Sequence, residues 1–297
     1  MADWGLRRGD RLSERFVVRR STRAMPFGEL FRADDERGSQ QATICLLGER
    51  FAPGWNQSLQ ADLVAAAALV HKNLAQTLGS GSKDGKPFVA SEYFEGRRVD
   101  TILRKRSEKD KGVPLKELFH VVAHICNGLQ FARGKLEHGV LSGASLVVTD
   151  NGRVKISHFG LRALRPILRN TRKQLSRWER GFFPPTNRAV GRSADAYSLG
   201  ILIAQMRTLN PFEGGVDDLA QFDDAQLEPE LRALITALLT GVDDADILTP
   251  SDVKRELLVA VNSIKGRRKR VEADAKAEAQ ATGGPPPIPH EALQDDT

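Results

Sequence analysis

The spacing of apolar residues changes once along this 297-residue chain, close to Glu95 and Gly96. Before that point the apolar residues form short runs bounded by turn residues, which is typical of β-strands, and residues 59–70 have the spacing of a helix. After it, residues 115–136 place their apolar side chains on one helical stripe. Further helical patterns follow at 194–207, 229–239 and 250–261. The sequence therefore predicts a small, strand-rich part followed by a larger, mainly helical part.

Composition excludes several classes of protein. No run of about 20 apolar residues is present, so the sequence predicts no membrane-spanning helix. Two cysteines, Cys45 and Cys126, are too few for a disulfide scaffold or a four-cysteine zinc site. The first residues lack the charged-then-apolar pattern of a secretory signal. These features predict a soluble protein of the cytoplasm.

A β-hairpin is predicted inside the helical part. Two short apolar runs, at 146–148 and 154–156, flank a turn that contains Asn151 and Gly152. Both residue types tolerate positive φ angles, so this dipeptide favours a tight hairpin turn. The second strand leads directly into residues 158–160, which read His-Phe-Gly.

Four segments resemble parts of a bacterial Ser/Thr (Hanks-type) protein kinase domain and occur in its order. Residues 28–33 resemble the end of the glycine-rich hairpin, and residues 92–96 resemble the hinge. Residues 150–161 resemble the hairpin that leads into the metal-binding Asp-Phe-Gly, and residues 195–200 resemble the start of the central helix. The resemblance implies an α+β, two-lobe fold: an N-lobe of a small antiparallel sheet with one helix, and a mainly helical C-lobe.

The resemblance also predicts how the chain is divided. We expect an N-terminal lead-in at 1–13, the N-lobe at 14–95 and the C-lobe at 96–263. The remaining residues, 264–297, contain a basic cluster and a proline-rich run and are predicted to be a flexible tail.

Five positions at which the family carries its catalytic groups hold other residues in this chain. A kinase uses a lysine and its glutamate partner to orient the phosphates, an aspartate as base, and an asparagine and an aspartate to hold metal ions. By the resemblance these positions fall on Cys45, Asp62, Val140, Ser145 and His158. The sequence therefore predicts that the chain is not an enzyme but a pseudokinase, without a metal site or an expected cofactor.

The groups that hold the family fold together are retained. By the resemblance, His138 and Phe159 stack on each other, and Asp195 caps the backbone around the histidine. These three residues are predicted to be structural.

Nucleotide binding is left open by the sequence. The resemblance places an adenine slot at Leu30, Thr43, Ser91, Glu92, Phe94 and Val147. One alternative is weak, metal-independent ATP binding in this slot. The other is an occluded cleft, into which Met25, Pro26 and Phe27 fold.

A basic stretch between His158 and Pro185 is the predicted partner-binding surface, and the alternative is a solvated loop that has no specific partner. Its candidate residues are Arg162, Arg165, Arg169, Arg172, Lys173, Arg177 and Arg180. Guanidinium groups bind carboxylate and phosphate in a bidentate manner, which favours an acidic protein partner. Thr171 and Ser176 lie among these arginines as candidate phosphorylation sites. Nucleic acid is the alternative partner, with Trp178, Phe182 and Phe183 stacking on bases.

The function predicted from the sequence is an inactive kinase homologue that binds another protein, such as an active kinase or a signalling complex. The first alternative is an atypical ATP-dependent Ser/Thr protein kinase of low activity, or an ATP-binding switch. The second alternative is a nucleic-acid-binding module that uses the basic stretch.

Overall fold

A computed structural model describes residues 6–38, 40–109, 112–185, 193–240 and 248–282. The strands are β1 Arg11–Leu12, β2 Phe16–Met25, β3 Gly28–Asp35, β4 Gln40–Leu47, β5 Thr77–Lys83, β6 Lys86–Glu92, β7 Gly96–Arg98, β8 Leu146–Thr149 and β9 Val154–Ile156. The helices are α1 Gln57–Ala67, α2 Val99–Ser107, α3 Leu115–Ala132, α4 Arg165–Asn170, α5 Arg177–Arg180, α6 Ala194–Thr208, α7 Pro229–Thr240 and α8 Pro250–Thr282.

The predicted two-lobe fold is confirmed. The N-lobe is a six-stranded antiparallel sheet in the order β1-β2-β3-β4-β6-β5, with α1 packed against it. The C-lobe contains α2 to α8 and a small sheet in the order β7-β8-β9. The Asn-Gly hairpin is present, with Leu146 of β8 paired to Ile156 of β9. The cleft lies between the two lobes, where β7 leads into α2.

The two faces of the N-lobe sheet enter different hydrophobic cores. Phe31, Ile44 and Phe88 lie on the outer face in a small separate cluster. Leu30 and Cys45, one position away on the same strands, lie on the inner face and belong to the large core that continues into the C-lobe. This follows from the alternation of side chains along a strand. The cleft wall is therefore formed by tightly packed residues.

The C-terminal helix extends further than expected. Residues from 264 onward were predicted to be flexible, whereas α8 continues to Thr282. Alanine, glutamate, lysine and arginine are strong helix formers, and they dominate this stretch. Arg267 and Arg268 also pair with Glu230 and Glu228 of the C-lobe, which fixes the first turns beyond residue 264. The last predicted tail residues, 283–297, lie outside the described residues. Within the described ranges, no helix has the length and hydropathy needed to span a bilayer.

Candidate functional site

A cavity of about 350 Å³ lies in the cleft between the lobes. All six residues predicted for the adenine slot line it: Leu30, Thr43, Ser91, Glu92, Phe94 and Val147. Thr43 and Ser91 face each other across β4 and β6, and Val147 on β8 supplies the opposite wall. The cavity is thus bounded by apolar side chains with a polar edge, as in sites for small planar ligands.

The tip of the β2–β3 hairpin fills the other end of the cleft. Met25 and Phe27 are buried, and the Phe27 ring packs edge-on against the His158 ring, with 5.3 Å between the centroids. The tip therefore packs beside His158, which itself lines the cavity. It leaves the slot end of the cleft open.

The open cavity carries a strong positive charge. Five cationic residues line it: Arg20, Arg23, Arg97, Arg98 and Lys155. Among the described lining residues, Glu92 is the acidic one. Its Oε2 lies 3.7 Å from Lys155 Nζ. Burial is the main factor that lowers the pKa of Lys155. The described wall therefore favours an anionic ligand.

Cys45, which the resemblance places at the family's lysine position, is a packed core residue. It lies between Leu30 of β3 and Val89 of β6, and is 2% exposed. Burial raises the pKa of its thiol to about 12, so the thiol is neutral near pH 7. It contributes volume rather than charge to the cleft wall.

Asp62 has a different partner from the one that the family resemblance implies. Its Oδ2 accepts a hydrogen bond from Arg162 Nε at 2.6 Å, and its Oδ1 accepts one from Arg162 Nη2 at 2.8 Å. This bidentate pair joins α1 of the N-lobe to the basic stretch of the C-lobe. Sequence reasoning missed it, because the two residues are 100 positions apart and neither lies in a local motif.

The described residues do not fit the magnesium ion that a kinase fold implies. Hard cations such as magnesium prefer oxygen ligands. The resemblance places His158 at the metal-aspartate position, and burial, followed by the nearby His138 and Arg98, lowers its pKa to about 3. The resemblance places Ser145 at the position of the metal-binding asparagine, and its hydroxyl donates to Ser142 O at 2.8 Å. Among the described residues no group of three or more histidine, cysteine, aspartate or glutamate side chains is placed to hold a metal.

Val140, which the resemblance places at the position of the family base, is fully buried. Its side chain can neither accept a proton nor bind an ion. The roles that the sequence assigned to these five positions remain predictions.

His138, Phe159 and Asp195 lie together behind the cleft. Asp195 accepts hydrogen bonds from the backbone N–H groups of His138 and Gly139, both at 2.8 Å. The His138 and Phe159 rings meet edge-on, with 4.7 Å between their centroids. His138 Nε2 lies 2.8 Å from Ser157 O. These contacts fix the loop that carries Val140 to the strand end that carries His158.

Replacing Asp195 with alanine is expected to destabilise the protein by about 2–4 kcal/mol, because two buried N–H groups lose their acceptor. Urea unfolding monitored by circular dichroism measures this change. Replacing Asp34 with alanine is the control, since its partner Arg19 is about half exposed and such pairs contribute little. An equal change in the two variants would contradict this role of Asp195.

The basic stretch does not form one continuous surface. Arg162, Arg165 and Arg169 line a second cavity of about 400 Å³. Arg172 and Arg180 instead pair with Glu213. Lys173 and Arg177 are exposed. The seven predicted partner-binding residues are therefore divided among three environments.

The other groups predicted to act in this stretch have local roles. Thr171 donates its hydroxyl to Ile167 O, and Ser176 forms a capping box with Glu179 at the start of α5. Phe182 and Phe183 are each 1% exposed, so they cannot stack on nucleic-acid bases. Trp178, the third aromatic residue predicted to stack on bases, is partly buried against the core.

Comparison with known proteins matches this chain to protein kinases. The family model described as protein tyrosine and serine/threonine kinase matches residues 26–218. Tyrosine-protein kinase MasK of Myxococcus xanthus is 29% identical over 180 residues, covering 56% of this chain and 28% of MasK. Human mitogen-activated protein kinase kinase kinase 5 is 26% identical over 225 residues, covering 72% of this chain and 16% of that kinase. The chain thus spans less than a third of the length of these relatives.

Solved structures give the same architecture. The kinase domain of Mycobacterium tuberculosis PknI superposes with a TM-score of 0.66 at 17% identity, covering 86% of this chain and 100% of that domain. At this level of identity the match shows the fold.

Proposed function

Because the chain belongs to the family of protein tyrosine and serine/threonine kinases, we propose that it is an atypical ATP-dependent protein kinase domain of low turnover that acts in signalling. Its cleft binds the nucleotide with arginine and lysine side chains and does not require a divalent metal. The observation that carries this proposal is the open cavity, which combines the slot residues with five cations.

The prediction that the chain is not an enzyme is wrong. The family model that matches it describes kinases, and the relatives that match it carry the names of kinases, which points to a protein kinase enzyme. The error came from treating the five substituted positions as decisive for the whole cleft.

The cations of the cleft suit the chemistry of phosphoryl transfer. The transition state is largely dissociative, so catalysis depends mainly on positioning and on stabilising the charge of the phosphoryl oxygens. Arginine and lysine clamps provide such stabilisation. Arg23, Arg98 and Lys155 all line the cavity, and Arg23 and Arg98 both pair with the carboxylate of Asp100. Loss of a general base costs about 10²–10⁴-fold, so we expect turnover well below the about 1–100 s⁻¹ of ordinary kinases.

Protein substrates and partners are part of the same proposal. The second cavity, with Arg162, Arg165 and Arg169, lies on the face of the C-lobe below α1. Arg162 already pairs with Asp62, and Arg169 donates to the carbonyls of Pro184 and Pro185. Arg165 Nη2 has no hydrogen-bond partner among the described residues, so it is the donor that this cavity offers to an acidic protein segment. The distribution of the seven basic residues favours this confined site over the whole stretch.

Titration calorimetry with ATP, first in EDTA and then with magnesium, tests nucleotide binding. We expect ATP to bind in EDTA with an affinity within about threefold of that in magnesium, since arginines neutralise the phosphates. Val147→Trp fills the slot and is expected to abolish binding. Val64→Trp is the matched control, because Val64 is 74% exposed on the outer side of α1. Binding that appears only with magnesium would contradict the proposed use of the cations.

Transfer of γ-phosphate from radiolabelled ATP to the chain itself or to an added protein tests the activity. We expect slow incorporation that is lost in Val147→Trp and retained in Val64→Trp. Incorporation that is absent, or that persists unchanged in Val147→Trp, would refute the kinase activity.

A further inference from the structure

Asp100, at the start of α2, lies behind two of the arginines that line the cleft. Arg98 donates from Nε to Asp100 Oδ1 at 3.2 Å and from Nη2 to Oδ2 at 2.8 Å. Arg23 donates from Nη2 to the same Oδ2 at 3.1 Å. The Asp100 side chain is 9% exposed and does not line the cavity, whereas both arginines do.

The arrangement spans the mouth of the cleft. Arg23 belongs to β2 of the N-lobe, and Asp100 belongs to the C-lobe. Arg23 also donates from Nη1 to Thr101 Oγ1 at 2.5 Å, and Arg98 Nη1 lies 2.9 Å from Met25 Sδ on the hairpin tip. Each guanidinium is therefore held by two other side chains: Arg23 by Asp100 and Thr101, and Arg98 by Asp100 and Met25.

Both arginines retain donors for a ligand. A guanidinium has five N–H groups, and the contacts above use two of those of Arg23 and three of those of Arg98. A long arginine side chain loses conformational freedom when it binds phosphate, and this loss is smaller when the side chain is already held in place. The carboxylate of Asp100 supplies that restraint.

We propose that Asp100 is a positioning residue that holds Arg23 and Arg98 as a clamp for the phosphate chain of the cleft ligand. This inference rests on the proposed function, which supplies a phosphorylated ligand, and it adds the residue that makes the cleft selective for phosphate. Asp100 acts through the two arginines and does not itself contact the ligand.

The sign of the effect of Asp100→Asn separates positioning from simple electrostatics. If the negative charge of Asp100 only repelled phosphate, the neutral variant would bind ATP more tightly. If Asp100 positions the arginines, the variant binds ATP about fivefold more weakly, since restraint of the two side chains is lost. Adenosine, which lacks phosphate, binds both proteins equally.

A double-mutant cycle by titration calorimetry tests whether Asp100 acts on ATP binding through Arg23 and Arg98. In an Arg23→Gln/Arg98→Gln background, Asp100→Asn is expected to change the ATP affinity by less than twofold, because the groups it acts through are absent. Asp34→Asn, in β3 of the N-lobe, is the control and leaves ATP binding unchanged, because Asp34 pairs with the half-exposed Arg19 and does not line the cavity. An unchanged or increased ATP affinity in Asp100→Asn, an equal loss of adenosine binding, or an undiminished effect in the double-glutamine background would each overturn the inference.

Inorganic tripolyphosphate distinguishes failure of this inference from failure of the proposed function. If neither ATP nor adenosine binds the wild-type protein but tripolyphosphate does, and Asp100→Asn weakens it, the clamp stands and the nucleotide function fails. If ATP binds and Asp100→Asn leaves it unchanged, the function stands and the clamp fails. If tripolyphosphate and ATP both fail to bind, both are refuted.

Discussion

Acidification from pH 7 to pH 5 is expected to reduce the free energy of unfolding by about 4 kcal/mol through His138 and His158. Both rings are buried. Burial is the main factor that lowers the pKa of His138 to about 4 and that of His158 to about 3. In the unfolded chain each titrates near its ordinary value of about 6.5. Between pH 7 and pH 5 the unfolded state therefore binds protons that the folded state does not bind.

The sign follows from these depressed values. The contribution of each histidine to stability is fully present above about pH 6.5 and is lost as the pH falls toward the folded-state pKa. At pH 5 the contribution of each histidine to the free energy of unfolding has fallen by about 2 kcal/mol. Burial shifts the pKa of Asp195 and Glu137 upward, so these carboxyl groups stabilise the fold as the pH falls and partly offset the histidines.

Comparison of His158→Asn with the wild-type protein isolates one of the two groups. Asparagine tolerates the φ of 72° at this position and does not titrate. We expect the change in unfolding free energy between pH 7 and pH 5, measured with urea, to be smaller by about 2 kcal/mol in this variant. His120→Asn is the control, because His120 is exposed on α3. An identical pH dependence in His158→Asn and wild type would show that His158 is not held neutral.

Local signals, together with the family resemblance, were sufficient to predict the fold and the residues that line the cavity. Strand alternation puts Leu30 and Cys45 on the same face, and the Asn-Gly turn sets the pairing that brings Val147 to the cavity. The order of the family segments then located the cleft. Residues whose positions follow from backbone geometry were therefore predictable.

Side-chain pairs between distant segments were not predictable. The pairs Arg162–Asp62 and Arg23–Asp100 each join the two lobes, and neither residue of a pair carries a local signal for the other. Their formation depends on how the lobes approach and on which rotamers the arginines adopt. The error over the length of α8 has a different cause. The helix propensity of residues 264–282 could be seen in the sequence, but the basic cluster and the proline run led to the prediction of a flexible tail.

Replacing Glu228 with glutamine is expected to destabilise the C-lobe by about 3–5 kcal/mol. The Glu228 side chain is 4% exposed. Arg207 donates to both of its oxygens at 2.8 Å, and Arg268 of α8 donates to Oε1 at 2.8 Å. The Arg207 side chain is 13% exposed, so the variant leaves a largely buried guanidinium without its counter-charge. Glu230→Gln is the control, since its partner Arg267 is 44% exposed, and we expect a loss below about 1 kcal/mol.

A double variant decides whether the buried pair of Glu228 and Arg207 stabilises the fold overall, or whether only the loss of one partner is destabilising. Burying two charges removes their hydration, so replacing both with apolar residues is often neutral, whereas removing one is not. Glu228→Leu/Arg207→Leu is therefore expected to recover most of the stability lost in Glu228→Gln, with Arg268 free to reach solvent. Hydrogen exchange of α8 beyond residue 264 is expected to increase in both variants, because the tie from Arg268 is lost in each. If the amides of α8 were protected from hydrogen exchange in both variants as fully as in the wild-type protein, Glu228 would not anchor the helix.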